Sequence, residues 1–313
     1  MYIAGIDGGG TKTHCIIGDE KGNIISFGNG GPANYHSVGI ERSKNSLKDA
    51  INEALLNSNL SFDNIDLFVF GLSGADQEDD FIVINKFIKE IIGDKKYKLY
   101  HDSWIGLRSG SKDYTGIAAI CGTGTGFSGR RKDGKEVVLR NLDYKLGNKG
   151  GGDELAIEAL HFAFRSEEGT FCKTELENVI PKLFSVKTME DVSKIIKNNN
   201  VPEEILKQIP IEIFRLANEG DTIAQELLIE LGETLGRFSV SVIKKLEMEN
   251  DEINVILIGS IYKGNSPLLL DAMKQTIHKV AKNVNLILPD KPPVYGAYYL
   301  GIDLLSKSGG DIK

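Results

Sequence analysis

Apolar and polar positions alternate from the first residues onward. Tyr2 to Asp7 reads as a strand, Gly8 to Gly10 turn the chain, and Thr13 to Gly18 reads as a second strand. After a turn over Asp19 to Gly22, a third strand follows over Asn23 to Phe27. The period then changes. Apolar residues recur every three or four positions from about Ile40 to Leu56 and again from about Glu78 to Ile92, which predicts amphipathic helices. Short strand-like runs are predicted at Leu67 to Phe70 and Tyr97 to Tyr100. From Asp153 to about Leu246 helical spacing dominates, with breaks expected near Gly169, Pro181, Pro202, Pro210 and Gly220. The remainder alternates again: strand Ile253 to Ile258, a loop and helix over Lys263 to Ala281, strand Val284 to Leu288, and a last helix from about Val294 to Leu305.

A repeat emerges when residue 3 is laid on residue 117. Ile3-Ala4-x-Ile6-x-Gly8-x-Gly10-Thr11 matches Ile117-Ala118-x-Ile120-x-Gly122-x-Gly124-Thr125, and each copy leads into a turn, at Glu20 to Gly22 and Lys132 to Gly134. The pattern predicts an α/β protein with a first domain over 1–114, onto which a C-terminal helix over 294–313 packs back. The second domain, over 115–293, carries a helical insertion.

Composition narrows the class without changing this layout. The 313 residues suffice for two domains, and 41% hydrophobic with 26% charged residues is average for a soluble globular protein. A net charge of −7 with no basic block argues against a nucleic-acid partner. Apolar runs such as Val255 to Ile258 are too short to span a bilayer, and Met1 runs straight into a strand pattern, so no membrane association and a cytoplasmic location are expected. Cys15, Cys121 and Cys172 are widely spaced and form no CxxC pair, which predicts neither a disulfide framework nor a metal cluster.

The candidate chemistry lies in two glycine loops. Asp7-Gly8-Gly9-Gly10-Thr11-Lys12-Thr13 ends a strand with three glycines, a turn whose backbone N–H groups can face phosphates while Asp7 orders a magnesium ion; a plain glycine hairpin is the alternative. Gly122-Thr123-Gly124-Thr125-Gly126 is the equivalent loop of the second repeat. A GxGxxG pattern at Gly124, Gly126 and Gly129 runs into a hairpin turn rather than opening a helix, so it does not read as a dinucleotide fingerprint, and no Walker loop occurs.

The duplicated strand-loop-strand grips, the alternating remainder, and Gly259-Ser260 after the strand Val255 to Ile258 resemble the actin/hexokinase/Hsp70 ATPase superfamily over nearly the whole chain. Within it, Gly5 to Thr13, the stretch GLSGADQED from Gly71 to Asp79, His101-Asp102 and Gly122-Thr123-Gly124 look most like the BadF/BadG/BcrA/BcrD-type ATPases and N-acetylglucosamine kinases. The resemblance implies two duplicated actin/hexokinase-like (RNase H-like) domains with a nucleotide cleft between them, ATP and Mg2+ as cofactors, a small-molecule amino sugar as substrate, and a homodimer. It implies Asp102 as the catalytic base, with Asn34, Ser73 and Gly74 beside it on the sugar. It places Gly9, Gly10, Thr11, Lys12, Gly122, Thr123, Gly124, Ala217 and Gly259 along the nucleotide and Asp7 at the metal; His101, read by itself, is structural. Taken without the resemblance, Asn34 reads as a turn residue and Asp102 equally as a cap at a strand end.

One segment departs from the resemblance. Amino-sugar kinases carry Gly-Asp-Glu-Gly-Ser ahead of a helix and a Trp-Gly pair before it; here Asn148-Lys149 replaces the acidic pair and Leu142-Asp143 the Trp-Gly. An alignment using Asp153-Glu154 instead needs an insertion. Exchanging carboxylates for an amide and an ammonium would admit an anionic sugar, so N-acetylmuramic acid joins N-acetylglucosamine as an expected substrate, phosphorylated on the 6-hydroxyl in cell-wall sugar salvage; alternatively Lys149 faces solvent. Two other readings share the fold. A dehydratase activator needs cluster-binding cysteines, for which the spacing is lacking, and a sugar-sensing regulator would add a DNA-binding helical domain, of which the sequence ahead of Tyr2 shows no sign.

Overall fold

The computed structural model of the chain describes all residues except 141–143, 199–200, 265 and 308–313. The chain begins with β1 (Tyr2–Gly8), β2 (Thr13–Asp19), β3 (Ile24–Gly30), α1 (Tyr35–Val38), α2 (Ile40–Ser58), β4 (Ile65–Leu72), α3 (Glu78–Ile92), β5 (Tyr97–His101) and α4 (Asp102–Gly110). Next come β6 (Gly116–Cys121), β7 (Thr125–Arg130) and β8 (Glu136–Val138), then α5 (Gly152–Glu167), α6 (Leu176–Leu183), α7 (Met189–Asn198), α8 (Glu203–Glu219) and α9 (Thr222–Leu246). The last elements are β9 (Ile253–Ile258), α10 (Pro267–His278), β10 (Val284–Ile287) and α11 (Pro293–Lys307). Two compact units result, one from Met1–Ala118 with Ile287–Lys313, the other from Ala119–Leu286.

In the first unit the sheet order is β3-β2-β1-β4-β5, with β1, β2 and β3 antiparallel and β1, β4 and β5 parallel. Central parallel strands are covered on both faces, which is why β4 is an almost unbroken apolar run. Its side chains still alternate. Phe68 and Phe70 join Leu47, Ile51, Ile84 and Phe87 on one face, whereas Leu67 and Val69 join Ile105, Ala297 and Leu300 on the other. Burying each such side chain contributes about 1.5–3 kcal/mol. Tyr298 of α11 is wholly buried beside Ile3 and Ile16, and its hydroxyl donates to the Asp19 carbonyl.

Strand β3 continues past its expected end at Phe27 to Gly30. Glycine ordinarily weakens a strand, but a Cβ at Gly28 would lie 2.0 Å from the Ala50 carbonyl oxygen. The glycine instead lets α2 rest directly on the edge strand. Pro181 and Pro210 likewise fall inside α6 and α8 rather than at breaks. Each costs a helical hydrogen bond, about 3 kcal/mol or more, and both rings are buried, so packing offsets the loss. The other expected interruptions hold: Gly169 lies beyond α5, Pro202 caps the start of α8, and Gly220 caps its end in the left-handed region.

The second unit's sheet is ordered β10-β9-β6-β7-β8. Read from β8, this is the order of the first sheet with β6 in the place of β1, so the sequence repeat marks the central strand of each sheet. Helices α5 to α9 lie between β8 and β9 in the chain. Cys15 and Cys121 are buried, and burial pushes both thiols far up, so neither is a nucleophile; Cys172 is exposed. Among the described residues, no helix is long and apolar enough to cross a membrane.

Candidate active site

Parallel strands deliver the side chains that follow them to one edge of a sheet, the usual place for a ligand in α/β proteins. The register sets Asp7 of β1 opposite Gly71 of β4, and Leu72 opposite His101 of β5. Asp7, Ser73-Gly74 and Asp102 therefore gather at the carboxyl ends of three neighbouring strands. Ser73 ties its loop to the glycine turn: its N–H and its hydroxyl both donate to the Gly8 carbonyl, at 2.9 and 3.1 Å. Asn34 caps α1, its side-chain oxygen accepting from the His36 N–H at 3.1 Å. Gly74 has φ +84°, and a Cβ there would lie 2.8 Å from Asn34 Oδ1, so only glycine permits the approach of these two loops.

A polar chain runs behind this edge. Asp80 Oδ1 accepts from the Tyr35 hydroxyl (2.5 Å) and pairs with His36 Nε2 (3.0 Å), while its Oδ2 accepts from the backbone N–H groups of Asp76 (3.1 Å) and Gln77 (2.8 Å). Asp76 Oδ1 meets His101 Nε2 at 3.0 Å, and His101 Nδ1 meets Asp102 Oδ1 at 3.1 Å. Of these residues, sequence reasoning assigned only Asp102 a role in the chemistry and His101 a structural one; Tyr35, His36, Asp76 and Asp80 went unassigned. The available signal was an acid pair spaced i, i+4 across a helix start. Ligand atoms of His36, Asp76 and Asp80 lie within 4.8 Å of one another. Because Asp80 is already engaged through both oxygens, the cluster is a structural knot rather than a metal centre.

The electrostatics follow from burial. Burial raises Asp102, opposed by His101 and reinforced by Asp76. Asp7 is pushed up to about 7, chiefly by burial and then by the Asp102 charge, with Lys12 acting against both. Burial works against a charged His101, but Asp102 and Asp76 outweigh it and hold the imidazole above its ordinary value. A buried carboxyl whose ionisation is further disfavoured by the Asp102 charge is a hard-oxygen donor that a divalent cation would relieve. Asp7 thus fits magnesium. Loop residues Gly10, Thr11 and Lys12 are exposed beside it, and the direction a side chain would take at Gly10 is open space.

In the second unit the equivalent loop is held from behind. Gly122 N–H donates to the Gly124 carbonyl (2.9 Å), while Gly152 and Asp153 N–H groups donate to the carbonyls of Gly122 (2.7 Å) and Thr123 (3.1 Å). The space in front of Gly122 and Gly124 is open, so the loop offers a cradle that a phosphate fits. Gly259 follows β9 on the neighbouring strand. Ala217 is buried in α8, its carbonyl accepting from the Gln225 side chain at 3.0 Å. Asn148 accepts from the Thr125 hydroxyl at 3.1 Å. Lys149 lies 2.6 Å from Glu230 and 3.6 Å from Glu158, so its ammonium already has carboxylate partners. Leu142 lies outside the described residues.

Residues 4–301 match the profile of the BadF/BadG/BcrA/BcrD ATPase family. The chain belongs to this family. Among curated relatives, the N-acetylmuramic acid/N-acetylglucosamine kinase of Clostridium acetobutylicum is 26% identical over 296 residues, covering 95% of this chain and 96% of that protein. The N-acetyl-D-glucosamine kinase of Dictyostelium discoideum is 25% identical over 309 residues, covering 96% and 97%. A crystal structure from Chromobacterium violaceum, provisionally assigned as an N-acetylglucosamine kinase, superposes with a TM-score of 0.73 at 19% identity, covering 96% of this chain and 98% of that one. The duplicated sheets and the strand-end edge described above are thus the frame of a BadF-type ATPase.

Proposed function

We propose that the protein is an ATP-dependent amino-sugar kinase that phosphorylates the 6-hydroxyl of N-acetylglucosamine. The observation that carries this reading is the gathering of Asp7, Ser73-Gly74 and Asp102 at the carboxyl ends of β1, β4 and β5 in a chain aligned end to end with amino-sugar kinases. Asp102 stands at the first turn of α4 as the base that accepts the proton of the attacking hydroxyl. Its raised affinity for protons, set by burial, suits that task. Asn34 can donate to one sugar hydroxyl and accept from another, and Gly74 gives it room. ATP with Mg2+ supplies an electrophilic phosphoryl group whose charge is partly neutralised. Asp7 would hold the metal, and the Gly9 to Lys12 and Gly122 to Gly124 loops, with Ala217 and Gly259, would hold the nucleotide.

N-acetylmuramic acid is proposed as a second substrate, supported by the Clostridium relative and by the lack of an acidic pair at Asn148-Lys149. Its lactyl carboxylate would have to compete with Glu230 for Lys149. A cytoplasmic, homodimeric enzyme of cell-wall sugar salvage is the setting that fits such a substrate pair. The test is ADP release measured against a panel of N-acetylglucosamine, N-acetylmuramic acid, glucosamine and glucose. Sugar-dependent release with the acetylated sugars is expected; ADP release indifferent to sugar would overturn the assignment in favour of a dehydratase-activator type of ATPase.

A further inference from the structure

His101 is more than the cap of α4. In the neutral ring its Nδ1 accepts from the Ser103 N–H at 3.1 Å, the bond a cap requires; the same nitrogen lies 2.7 Å from Ser103 Oγ. A cap needs only that one ring nitrogen. The other, Nε2, reaches Asp76 at 3.0 Å, twenty-five positions away in the loop between β4 and α3. An ionised Asp76 can only accept, so Nε2 carries the hydrogen of that bond, and the ring plane is set by two partners on opposite sides. Asp102 Oδ1 lies 3.1 Å from Nδ1, so a carboxylate stands at each end of the ring; the imidazolium form donates Nε2–H to Asp76 and Nδ1–H to Asp102, and the residue is only 9% exposed. Asp76 is itself held, its N–H bound to Asp80, which the Tyr35 hydroxyl also grips.

We propose that Asp76 and His101 are positioning residues that lock the Asp102 carboxylate in the rotamer needed for proton transfer; the proposal rests on Asp102 being the base. A carboxylate at the start of a helix has several staggered rotamers open to it. Attaching one oxygen to a ring that cannot turn selects among them. Misplacement of a reacting group by about 1 Å can cost ~10²-fold in rate. The same chain, through Asp80, His36 and Asn34, joins the base to the sugar loop.

The test is a double-mutant cycle on steady-state turnover with N-acetylglucosamine and ATP. Asp76→Asn is expected to lower kcat about 10- to 100-fold, the usual range for groups that orient an active-site ligand, with KM for the sugar within about threefold. His101→Asn retains an acceptor for the Ser103 N–H but cannot reach Asp76, and carries the same expectation independently of how Asp76→Asn folds. In an Asp102→Asn background the Asp76→Asn change should alter kcat by less than about twofold, because its route of action is gone. Equal losses in both backgrounds would overturn positioning, since a merely structural role acts whether or not the base is present. Full turnover in both Asp76→Asn and His101→Asn, with Asp102→Asn inactive, would overturn positioning alone. Near-normal turnover in Asp102→Asn would remove the base assignment and positioning with it.

Discussion

Replacing Gly74 by alanine perturbs the candidate sugar loop at a point where the cost can be worked out. Holding a residue with a Cβ at φ +84° costs about 1–2 kcal/mol. The new methyl would also lie 2.8 Å from Asn34 Oδ1, closer than real contacts allow, so the Asn34 side chain must swing away and release the His36 N–H it caps. A lost cap of this kind costs about 1 kcal/mol, giving a total of about 2–3 kcal/mol. At about 2–4 °C per kcal/mol for a domain of this size, the melting temperature should fall by roughly 4–12 °C. Displacing Asn34 removes a hydrogen-bonding partner from the sugar, worth about 1–2 kcal/mol, or roughly 5- to 30-fold in kcat/KM. Steady-state kinetics well below the melting point, with each substrate varied at saturating levels of the other, separates the effects: kcat/KM for N-acetylglucosamine should fall while KM for ATP stays within about twofold. A lower melting temperature with unchanged sugar kinetics would show that Asn34 does not face the sugar. An unchanged melting temperature would refute the strain argument itself.

Other consequences are open to measurement. Asp102→Asn should retain sugar and nucleotide binding by calorimetry within a few-fold while turnover drops by about 10² to 10⁴. Asp80, although burial opposes its charge, is held below its ordinary value of 3.8 by Tyr35, the N–H groups of Gln77 and Asp76, and His36. A depressed carboxylate contributes stability that is complete above the unfolded value and disappears as pH falls through the folded one, so the difference in melting temperature between the native chain and Asp80→Asn should shrink steadily below about pH 4. Lys149→Met should change overall stability by less than about 1 kcal/mol, since its partly exposed pair with Glu230 is screened; if Lys149 meets the lactyl carboxylate, kcat/KM for N-acetylmuramic acid falls about tenfold while that for N-acetylglucosamine does not.

Much of this frame was legible because periodicity and burial agree. Helix α3 and strand β9 occupy the ranges read from apolar spacing, and the repeat at residues 3 and 117 falls on the central strands of the two sheets. The misreadings share one physical cause, tertiary packing overriding local preference. Gly28 and Gly30 extend a strand because α2 lies on them, and Pro181 and Pro210 sit within helices because their rings are buried. Helix α4 escapes the sequence pattern: His101 before it and Asp102, its first residue, read as chemistry, and its start is capped by an imidazole rather than a hydroxyl or carboxyl. The chain from Asn34 to Asp102 was unreadable for a different reason. Its members are spread over three separate strand-to-helix junctions, and no spacing in sequence announces that Asp76 meets His101 or that Tyr35 meets Asp80.

The central claim, transfer of a phosphoryl group from ATP to an amino sugar with Asp102 as base, is tested most directly by phosphorus and carbon NMR of the product formed from N-acetylglucosamine and ATP, with Asp102→Asn run in parallel. The account predicts one equivalent of phosphate on O6 per ADP released, and at least a hundredfold slower accumulation with the variant. ADP appearing with inorganic phosphate and unmodified sugar, or the same product formed at equal rate by Asp102→Asn, would contradict it.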